Sequence, residues 1–414
     1  MRLGPPASAI SRGVVAWVAV LTVMLPTGCS SIGLLGGGGA AAPPAGETRV
    51  EEPRAPLAPL PSEIRIGSAL TLSGANAVYG QSQRKGLELA VERLNQAGGV
   101  GQTGGGGGVR ISLRVEDDQG TPEGAVSAIR QLIEQEDPLA IFGPTLSTAS
   151  FAAIPLAQEA GIPVLAISAT ADGIVDIGDW VFRIALPEAA VIPGAVRLAI
   201  EKLHPKSVAI IYDRDDAYAL SGYRAFKKAL EQSGLAIAAE LSYATGDQDL
   251  TPQLLQIRAS NPDAIVASSL ARDAVSVLRR ARRLDITVPV IGNNGFSSPF
   301  VIRSAGTAAD GLIVGTGWNA DNPNPLSREF VKAFRARYGE NPDEFAAYAY
   351  AGLEILTEAI ARDAAFGDRG KLRTALASTA TDTVVGKFRF FPNREPDHPP
   401  MVQIVRHGRL AILK

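Results

Sequence analysis

Two hydroxyl-rich segments of the chain each follow a predicted strand, and both could hold an anion. Residues 143–148 (Gly-Pro-Thr-Leu-Ser-Thr) lie between a strand and a helix. There Ser147 or Thr148 can cap the helix while free backbone N–H groups point outward, an arrangement that favours an anion through hydrogen bonds and the helix dipole. Residues 168–170 (Ser-Ala-Thr) follow the next strand and present a second polar turn to the same rim. The two segments indicate either a carboxylate or amide site or helix capping alone.

The other motifs favour no enzyme, metal or cofactor. Residues 99–104 match G-x-G-x-x-G, but they follow a helix and continue into more glycines. A dinucleotide site follows a strand and opens a helix, so a flexible loop is the better interpretation. Residues 116–118 (Glu-Asp-Asp) end a strand, and no second carboxylate cluster completes a metal shell. His204, His398 and His407 lie in turn-like sequence, so we predict no catalytic residue, no metal ligand and no cofactor.

Composition narrows the class of protein further. The chain has 414 residues, enough for two or three domains, and its 46% of hydrophobic residues exclude wholesale disorder. Its 40 Lys and Arg residues are balanced by 42 Asp and Glu residues. This balance argues against a nucleic-acid partner, because a phosphate-binding surface needs a basic excess. The single cysteine excludes an intrachain disulfide and a cysteine-rich metal site.

That cysteine, Cys29, follows a segment with the features of an export signal. Residues 1–28 carry two positive charges and no acid, and the apolar run at 14–25 is shorter than the ~20 residues of a membrane-spanning helix. The segment resembles a bacterial lipoprotein signal peptide with Cys29 as the lipidated residue, although Pro26 stands where leucine is usual; plain secretion is the alternative. Residues 29–62 are rich in Gly, Ala and Pro and predict a flexible tether. We therefore expect an exported protein on the periplasmic or cell-surface side, held to a membrane by its lipid only.

Short β-branched runs alternate with helical patterns from residue 64 onward. The strands are predicted at 64–67, 110–115, 139–143, 163–167, 207–212, 263–267, 289–292 and 312–315, and the helices at 81–97, 122–135, 148–160, 218–233, 271–284 and 345–361. Near-continuous apolar strands belong to parallel sheets that are covered on both faces. About 350 ordered residues are too many for one sheet, so we predict two doubly wound α/β domains. Such sheets bind ligands outside the carboxyl ends of their strands.

A set of motifs is spread along residues 63–414. It comprises 64–67 (Ile-Arg-Ile-Gly), 72–80 (Leu-Ser-Gly-Ala-Asn-Ala-Val-Tyr-Gly), 87–99 (Leu-Glu-Leu-Ala-Val-Glu-Arg-Leu-Asn-Gln-Ala-Gly-Gly), 115–122 (Val-Glu-Asp-Asp-Gln-Gly-Thr-Pro), 161–164 (Gly-Ile-Pro-Val) and 386–390 (Gly-Lys-Phe-Arg-Phe). Together these segments resemble the type I periplasmic solute-binding proteins of branched-chain amino acid ABC importers, the leucine/isoleucine/valine-binding family. The resemblance implies two α/β lobes that are joined by three hinge crossings and close over a small solute. Lobe one would comprise residues 64–185 and 317–388, and lobe two residues 186–316 and 389–414.

The resemblance also implies a set of ligand-binding residues. The matching positions in this sequence are Tyr79, Ser147, Ser168, Ala169, Thr170 and Tyr218. In the family, a serine at a helix N-terminus and the following Ala-Ala-Thr turn hold the ligand carboxylate. An aromatic residue covers the ligand, and a tyrosine of lobe two faces it. We expect the corresponding residues of this chain to line one cleft.

Two positions depart from the family pattern. Asn294 stands where an acid pairs with the ligand ammonium, and Leu270 stands where lobe two has a second aromatic residue. Asparagine supplies no opposing charge, and a buried ammonium that faces only dipoles would be costly. Either Asp215, Asp216 or Asp273 substitutes for the acid, or the ligand lacks an amine. The disulfide that the family has in lobe one is also absent.

These features predict a solute-binding lipoprotein that captures a small amino acid, or a related carboxylate or amide, and delivers it to the permease of an ABC importer. Closure would be a hinge motion, and no enzyme activity is expected. One alternative is an envelope lipoprotein that regulates a partner enzyme by protein contact, with a closed or degenerate cleft. Another is a hydrolase built on the same fold, which needs a nucleophile in contact with a base.

Overall fold

The computed structural model describes residues 60–101 and 107–414. The predicted signal peptide, Cys29 and nearly all of the tether lie outside the described residues, as does the end of the 99–104 motif. Among the residues that the model describes, no helix has both the length and the apolar character needed to cross a membrane.

Strands and helices alternate along most of the described chain. The strands are β1 (Glu63–Leu70), β2 (Arg110–Asp117), β3 (Ala140–Phe142), β4 (Val164–Ala166), β5 (Val181–Arg183), β6 (Ser207–Asp213), β7 (Ala236–Tyr243), β8 (Ala264–Ser268), β9 (Val290–Gly292), β10 (Ile313–Thr316), β11 (Ala380–Thr383), β12 (Gly386–Phe390), β13 (Pro396–Asp397), β14 (Met401–Arg406) and β15 (Arg409–Ile412). The α-helices are α1 (Ala77–Gln96), α2 (Pro122–Gln131), α3 (Ser147–Glu159), α4 (Glu188–Leu203), α5 (Ala217–Gln232), α6 (Thr251–Ser260), α7 (Ala271–Arg283), α8 (Pro299–Ala305), α9 (Pro325–Tyr338), α10 (Glu344–Asp363) and α11 (Arg369–Ala377). The predicted strands and helices are confirmed with small shifts at their ends, whereas helices such as α4 and α9 were not predicted.

The first sheet is parallel throughout, with strand order β2-β1-β3-β4-β5. Neighbouring residues of its strands face opposite layers of the core: Ile141 packs among one group of buried side chains and Phe142 among another. This two-sided burial explains why the strands read as unbroken apolar runs. On one face α1 packs closely on α10, because Gly86 lets the helix backbones meet; a Cβ at that position would lie 2.2 Å from the Ala346 carbonyl oxygen.

The second sheet has the order β15-β14-β10-β9-β8-β6-β7, and β14 pairs antiparallel with both of its neighbours, β10 and β15. The sequence predicted parallel strands only. The pairing of β14 with β15 arises at His407 and Gly408, which both have positive φ (52° and 72°) and form the tight turn between these two strands. Two consecutive residues with positive φ are typical of hairpin turns that match the twist of antiparallel strands. The doubly wound α/β class is nevertheless confirmed for both sheets.

A small third sheet, β11-β12-β13, lies between the last helix of the first domain and the return to the second sheet. The predicted lobe boundary 185/186 lies in the loop between β5 and α4, and the boundary 316/317 lies at the end of β10. The third, 388/389, falls inside β12, because Arg389 still pairs with Asp397 of β13. The return to β14 follows only after Asp397.

Candidate ligand-binding site

A small pocket lies where the carboxyl ends of the two large sheets face each other. It is lined by Tyr79, Thr145, Leu146, Ser147, Ser168, Tyr218, Leu270, Asn294, Gly295 and Phe345. Five of the seven predicted ligand-binding residues, and Leu270, therefore share one pocket. The other two predicted residues, Ala169 and Thr170, are completely buried behind its wall. The space left between these side chains is about 20 Å³, room for about one water molecule, so a larger solute requires the walls to part.

The N-terminus of α3 enters this pocket without a side-chain cap. Its N-cap residue is Leu146, whose side chain has no oxygen that could accept a backbone N–H. The prediction that Ser147 or Thr148 caps this helix is therefore wrong. The first N–H groups of a helix have no intrahelical partner. The Ser147 Oγ accepts the Ala171 N–H at 3.2 Å, and its own proton remains available as a donor. This end of the pocket therefore presents hydrogen-bond donors to a ligand.

Ser168 presents the opposite polarity. Its hydroxyl donates to the Thr145 carbonyl at 2.6 Å and accepts the Gln83 Nε2 at 2.5 Å. Gln83 is fixed in turn, since its Oε1 accepts the Thr145 hydroxyl at 2.7 Å. A hydroxyl has one proton and two lone pairs, so Ser168 has a single lone pair left for a ligand. It can accept a hydrogen bond from a solute but cannot donate one without breaking this network.

A buried acid holds the loop that carries Ser147. Asp118 accepts the Thr71 hydroxyl at 2.6 Å and the Thr145 N–H at 3.2 Å, and burial raises the pKa of its carboxyl group. Within the acidic segment 116–118, Asp118 thus has a structural role: it links the end of β1 to the loop before α3. Among the described residues, no group of three or more His, Cys, Asp or Glu side chains is placed to hold a metal ion.

Two tyrosines, one from each sheet domain, meet at the peptide groups of Gly295. The Tyr79 hydroxyl donates to the Gly295 carbonyl at 3.0 Å, and the Gly295 N–H donates to the Tyr218 hydroxyl at 2.6 Å. Tyr218 also donates to the Asn294 Oδ1 at 2.8 Å. Burial raises the pKa of both phenols well above the ordinary tyrosine value. One lone pair of the Asn294 oxygen is therefore engaged, and its second lone pair and its amide N–H₂ group are the parts available to a ligand.

Glu188 is a candidate site residue that sequence reasoning missed. It begins α4, is completely buried, and its Oε1 lies 3.3 Å from the Thr170 hydroxyl. Its Oε2 is buried without a hydrogen-bond partner among the described residues. Burial, and then the charge of Glu344, raise the pKa of Glu188 to about 8, while Thr170 and the Asn294 N–H oppose the rise. The one available signal was an acid inside the apolar run 184–192.

None of the three acids proposed as substitutes for Asn294 lines the pocket. Asp216 caps α5 through the Ala219 N–H at 2.9 Å. Asp273 accepts a hydrogen bond from Arg272 at 2.9 Å, and Asp215 is exposed. Glu188 is the acid that lies beside both Thr170 and Asn294.

Further hydrogen bonds join the two sheet domains around the pocket. The Thr148 hydroxyl donates to Asp216 at 2.7 Å and accepts the Ala217 N–H at 3.0 Å. The Asp172 N–H donates to the Ser221 hydroxyl at 3.0 Å. The N-terminal ends of α3 and α5 come from opposite sides of the cleft, and these bonds hold them in contact.

Comparisons with known proteins identify the architecture. The sequence pattern of a family described as periplasmic binding protein matches residues 63–408. A Leu/Ile/Val-binding protein homolog 7 of Brucella abortus is 27% identical over 382 residues, covering 84% of this chain and 90% of the relative.

Two solved structures have the same fold. The branched-chain amino acid transporter substrate-binding protein of Streptococcus pneumoniae, in complex with isoleucine, aligns with a TM-score of 0.77 at 26% identity, covering 85% of this chain and 99% of that one. A solute-binding protein of an ABC transporter from R. palustris, in complex with benzoate, aligns with a TM-score of 0.75 at 24% identity, covering 85% and 95%.

Proposed function

The chain belongs to the family of periplasmic binding proteins, and from that membership we propose that it captures a small α-amino acid between its sheet domains and delivers it to an ABC importer. The family consists of extracytoplasmic solute-binding proteins, and the relatives include amino-acid binders of ABC transporters. The family is established by the sequence match, whereas the class of ligand and the residues that bind it are what we propose.

The observation that carries the proposal is that one pocket offers both unused hydrogen-bond donors and unused acceptors. The uncapped end of α3 and the Ser147 hydroxyl offer donors, which suit a carboxylate. Ser168 has a lone pair left, and the Oε2 of Glu188, which lies beside Thr170 behind the pocket wall, has no partner among the described residues. Both suit a donor group, above all an ammonium. A solute with a carboxylate and an ammonium on one carbon can bind the donors with the first group and the acceptors with the second.

The rest of the lining favours an apolar side chain on that solute. Leu146, Leu270 and Phe345 contribute carbon surface, and the Tyr79 ring packs against Phe345 with 4.6 Å between ring centroids. Leu270 replaces an aromatic residue that the family resemblance led us to expect. A branched aliphatic group buried against this wall is stabilised by about 1.5–3 kcal/mol through the hydrophobic effect.

An aromatic carboxylate is the second candidate ligand. The R. palustris relative has benzoate bound, and none of the residues that line the pocket of the described chain is an acid. The Asn294 amide could then face a carboxylate or hydroxyl oxygen. The two candidates differ in the ammonium group and in the apolar group. Leucine without its ammonium, compared with leucine and with benzoate, separates the two differences.

Membrane attachment belongs to the same proposal. Cys29, the predicted lipidation site, and the 29–62 tether would hold the binding domains near the permease. The alternative of a regulator that acts by protein contact predicted a closed or degenerate cleft. The cleft is narrow, but its unused donors and acceptors support solute binding instead.

Thermal unfolding with a small set of solutes tests this function. L-leucine and L-isoleucine should raise the melting temperature, because a ligand that binds only the native state stabilises it by mass action. We expect 4-methylpentanoate, which is leucine without the ammonium, and benzoate to give smaller shifts. The reverse order would transfer the proposal to aromatic carboxylates. No shift with any of the four would contradict solute binding of this class.

A further inference from the structure

We propose that capture of an amino acid by this chain releases a proton from Glu188, so that the affinity for the solute depends on pH. The inference rests on the proposed function, since it needs a ligand that carries an ammonium. It concerns the layer behind the pocket wall, where two buried acids, Glu188 and Glu344, begin helices α4 and α10.

The geometry around Glu188 leaves it without a counter-ion. The titratable groups that act on it are Asp172, Glu344, Tyr218 and Tyr348, and every one of them is acidic. Two dipoles oppose them, the Thr170 hydroxyl and the Asn294 N–H. An ionised carboxylate buried among acids and only two dipoles is costly, so the group holds its proton until a cation arrives.

Glu344 is tied differently and stays in place as the second acid. One of its oxygens accepts the Ser297 hydroxyl, and the other accepts the Thr316 hydroxyl at 2.5 Å. Each oxygen of its carboxyl group thus accepts one hydroxyl group from the second sheet domain. Asp343, which precedes it, is also acidic and acts on it. The negative charge that Glu344 can carry works against ionisation of Glu188.

The buried cation of this region is already committed elsewhere. Arg183 pairs with Glu395, with Nε 2.7 Å from Oε2, and donates to the Ala171 carbonyl at 2.6 Å. His398 packs against Tyr348, and burial lowers its pKa to about 4, so it is neutral at pH 7. Among the described residues, therefore, no basic side chain forms an ion pair with Glu188 or Glu344.

A ligand ammonium supplies the missing charge. When the walls part for the solute and its ammonium reaches the buried Oε2, the Glu188 carboxyl group loses its proton to solvent, and the ligand keeps all three ammonium protons. Because burial has raised the pKa of free Glu188 to about 8, the proton is present at pH 7 before binding and absent afterwards. Binding is then favoured by a rise in pH, by up to about tenfold in affinity per pH unit below pH 8, and levels off above it.

Isothermal titration calorimetry of the wild-type protein with L-leucine tests the release. Titrations at pH 7 in buffers with different ionisation enthalpies give the number of protons released, and we expect about one. Titration with 4-methylpentanoate, which has no ammonium, should release none. In Glu188→Gln the leucine affinity should fall by about tenfold or more and lose its dependence on pH. Glu201→Gln, an exposed site on the same helix, is the matched control and should behave as wild type.

Each outcome decides one of the two proposals. Leucine binding without proton release, or an unchanged proton count in Glu188→Gln, overturns the proton linkage and leaves the proposed function standing. Failure of leucine to bind at all overturns the proposed ligand class, and the linkage with it. If Glu188→Gln does not fold, the comparison of leucine with 4-methylpentanoate on the wild-type protein still decides, because equal proton counts contradict the role of the ammonium.

Discussion

The hydroxyl group of Thr148 lies 2.7 Å from the carboxylate of Asp216, although the two residues belong to different sheet domains. The same hydroxyl accepts the N–H of Ala217, the first residue of α5. A side chain of α3 thus completes the N-terminal cap of a helix across the cleft. The bond exists only while the domains are together.

Removal of this bond should favour the open form. Thr148→Val keeps the shape of the side chain but loses a hydrogen bond to a charged group, which contributes about 1.5–3 kcal/mol. We expect at least a tenfold loss of affinity for L-leucine with a faster dissociation rate, measured by stopped-flow fluorescence. Thr374→Val, on an exposed face of α11, is the control. Unchanged dissociation would mean that the bond does not help to hold the domains closed.

Ser147→Ala tests the donor end of the pocket. The variant removes a hydroxyl that can donate to a carboxylate, a charge-assisted hydrogen bond. The affinity for L-leucine and for 4-methylpentanoate should fall by the same factor, about 10–100-fold, because both ligands carry the carboxylate. Calorimetry of both ligands measures it. A loss for leucine alone would place the ammonium, and not the carboxylate, at this serine.

Gly295→Ala should weaken closure by steric contact. A Cβ at this position would lie 2.8 Å from the Tyr218 hydroxyl oxygen and 2.9 Å from that of Tyr79. Both phenols would have to move, and the hydrogen bonds that they make to this residue would lengthen. We expect a more open average shape in small-angle X-ray scattering and weaker solute binding. A scattering profile identical to that of the wild type would contradict it.

The pH dependence of stability provides an independent test of Glu188. Its pKa in the folded protein, about 8, lies above the ordinary value of 4.5. A raised acid pKa stabilises the fold fully below the unfolded value, and this stability is lost as the pH rises through the folded value. Without ligand, the melting temperature of the wild type should therefore fall relative to that of Glu188→Gln as the pH rises from 5 to 8.5. Parallel curves for the two proteins would show that the pKa of Glu188 is not raised.

Much of the fold could be predicted because it depends on local periodicity. The runs that became β6 and β8 are apolar and β-branched, and α7 has one polar face, so each carries its own signal. Helix α4 has a buried face at helical spacing, but the sequence does not mark it, because residues 189–200 are apolar except for Pro193, Gly194 and Arg197. The turn at His407 was predicted from its turn-like sequence, but the antiparallel pairing of β14 with β10 and β15 depends on contacts distant in sequence or on strands that were not predicted.

Some residues of the candidate site could likewise be predicted from the sequence, and others could not. Ser147 and Ser168 follow strands of a parallel sheet, and the rule that such strands point their carboxyl ends at a ligand was sufficient to group them. The role of Thr148 was wrong because its partner, Asp216, is 68 residues away in sequence. Glu188 was missed because its burial depends on packing against Thr170 and Asn294, contacts that no local pattern encodes.

Because Tyr79 and Tyr218 meet at Gly295, their ultraviolet absorbance can report the conformation of the chain. A phenol in water ionises in mild alkali and then absorbs in the near ultraviolet, whereas both of these phenols are sealed from solvent and resist that change. If the domains separate, both rings become exposed to solvent and ionise. Phenolate absorbance beyond that of the six other tyrosines would then report the open form without an added dye.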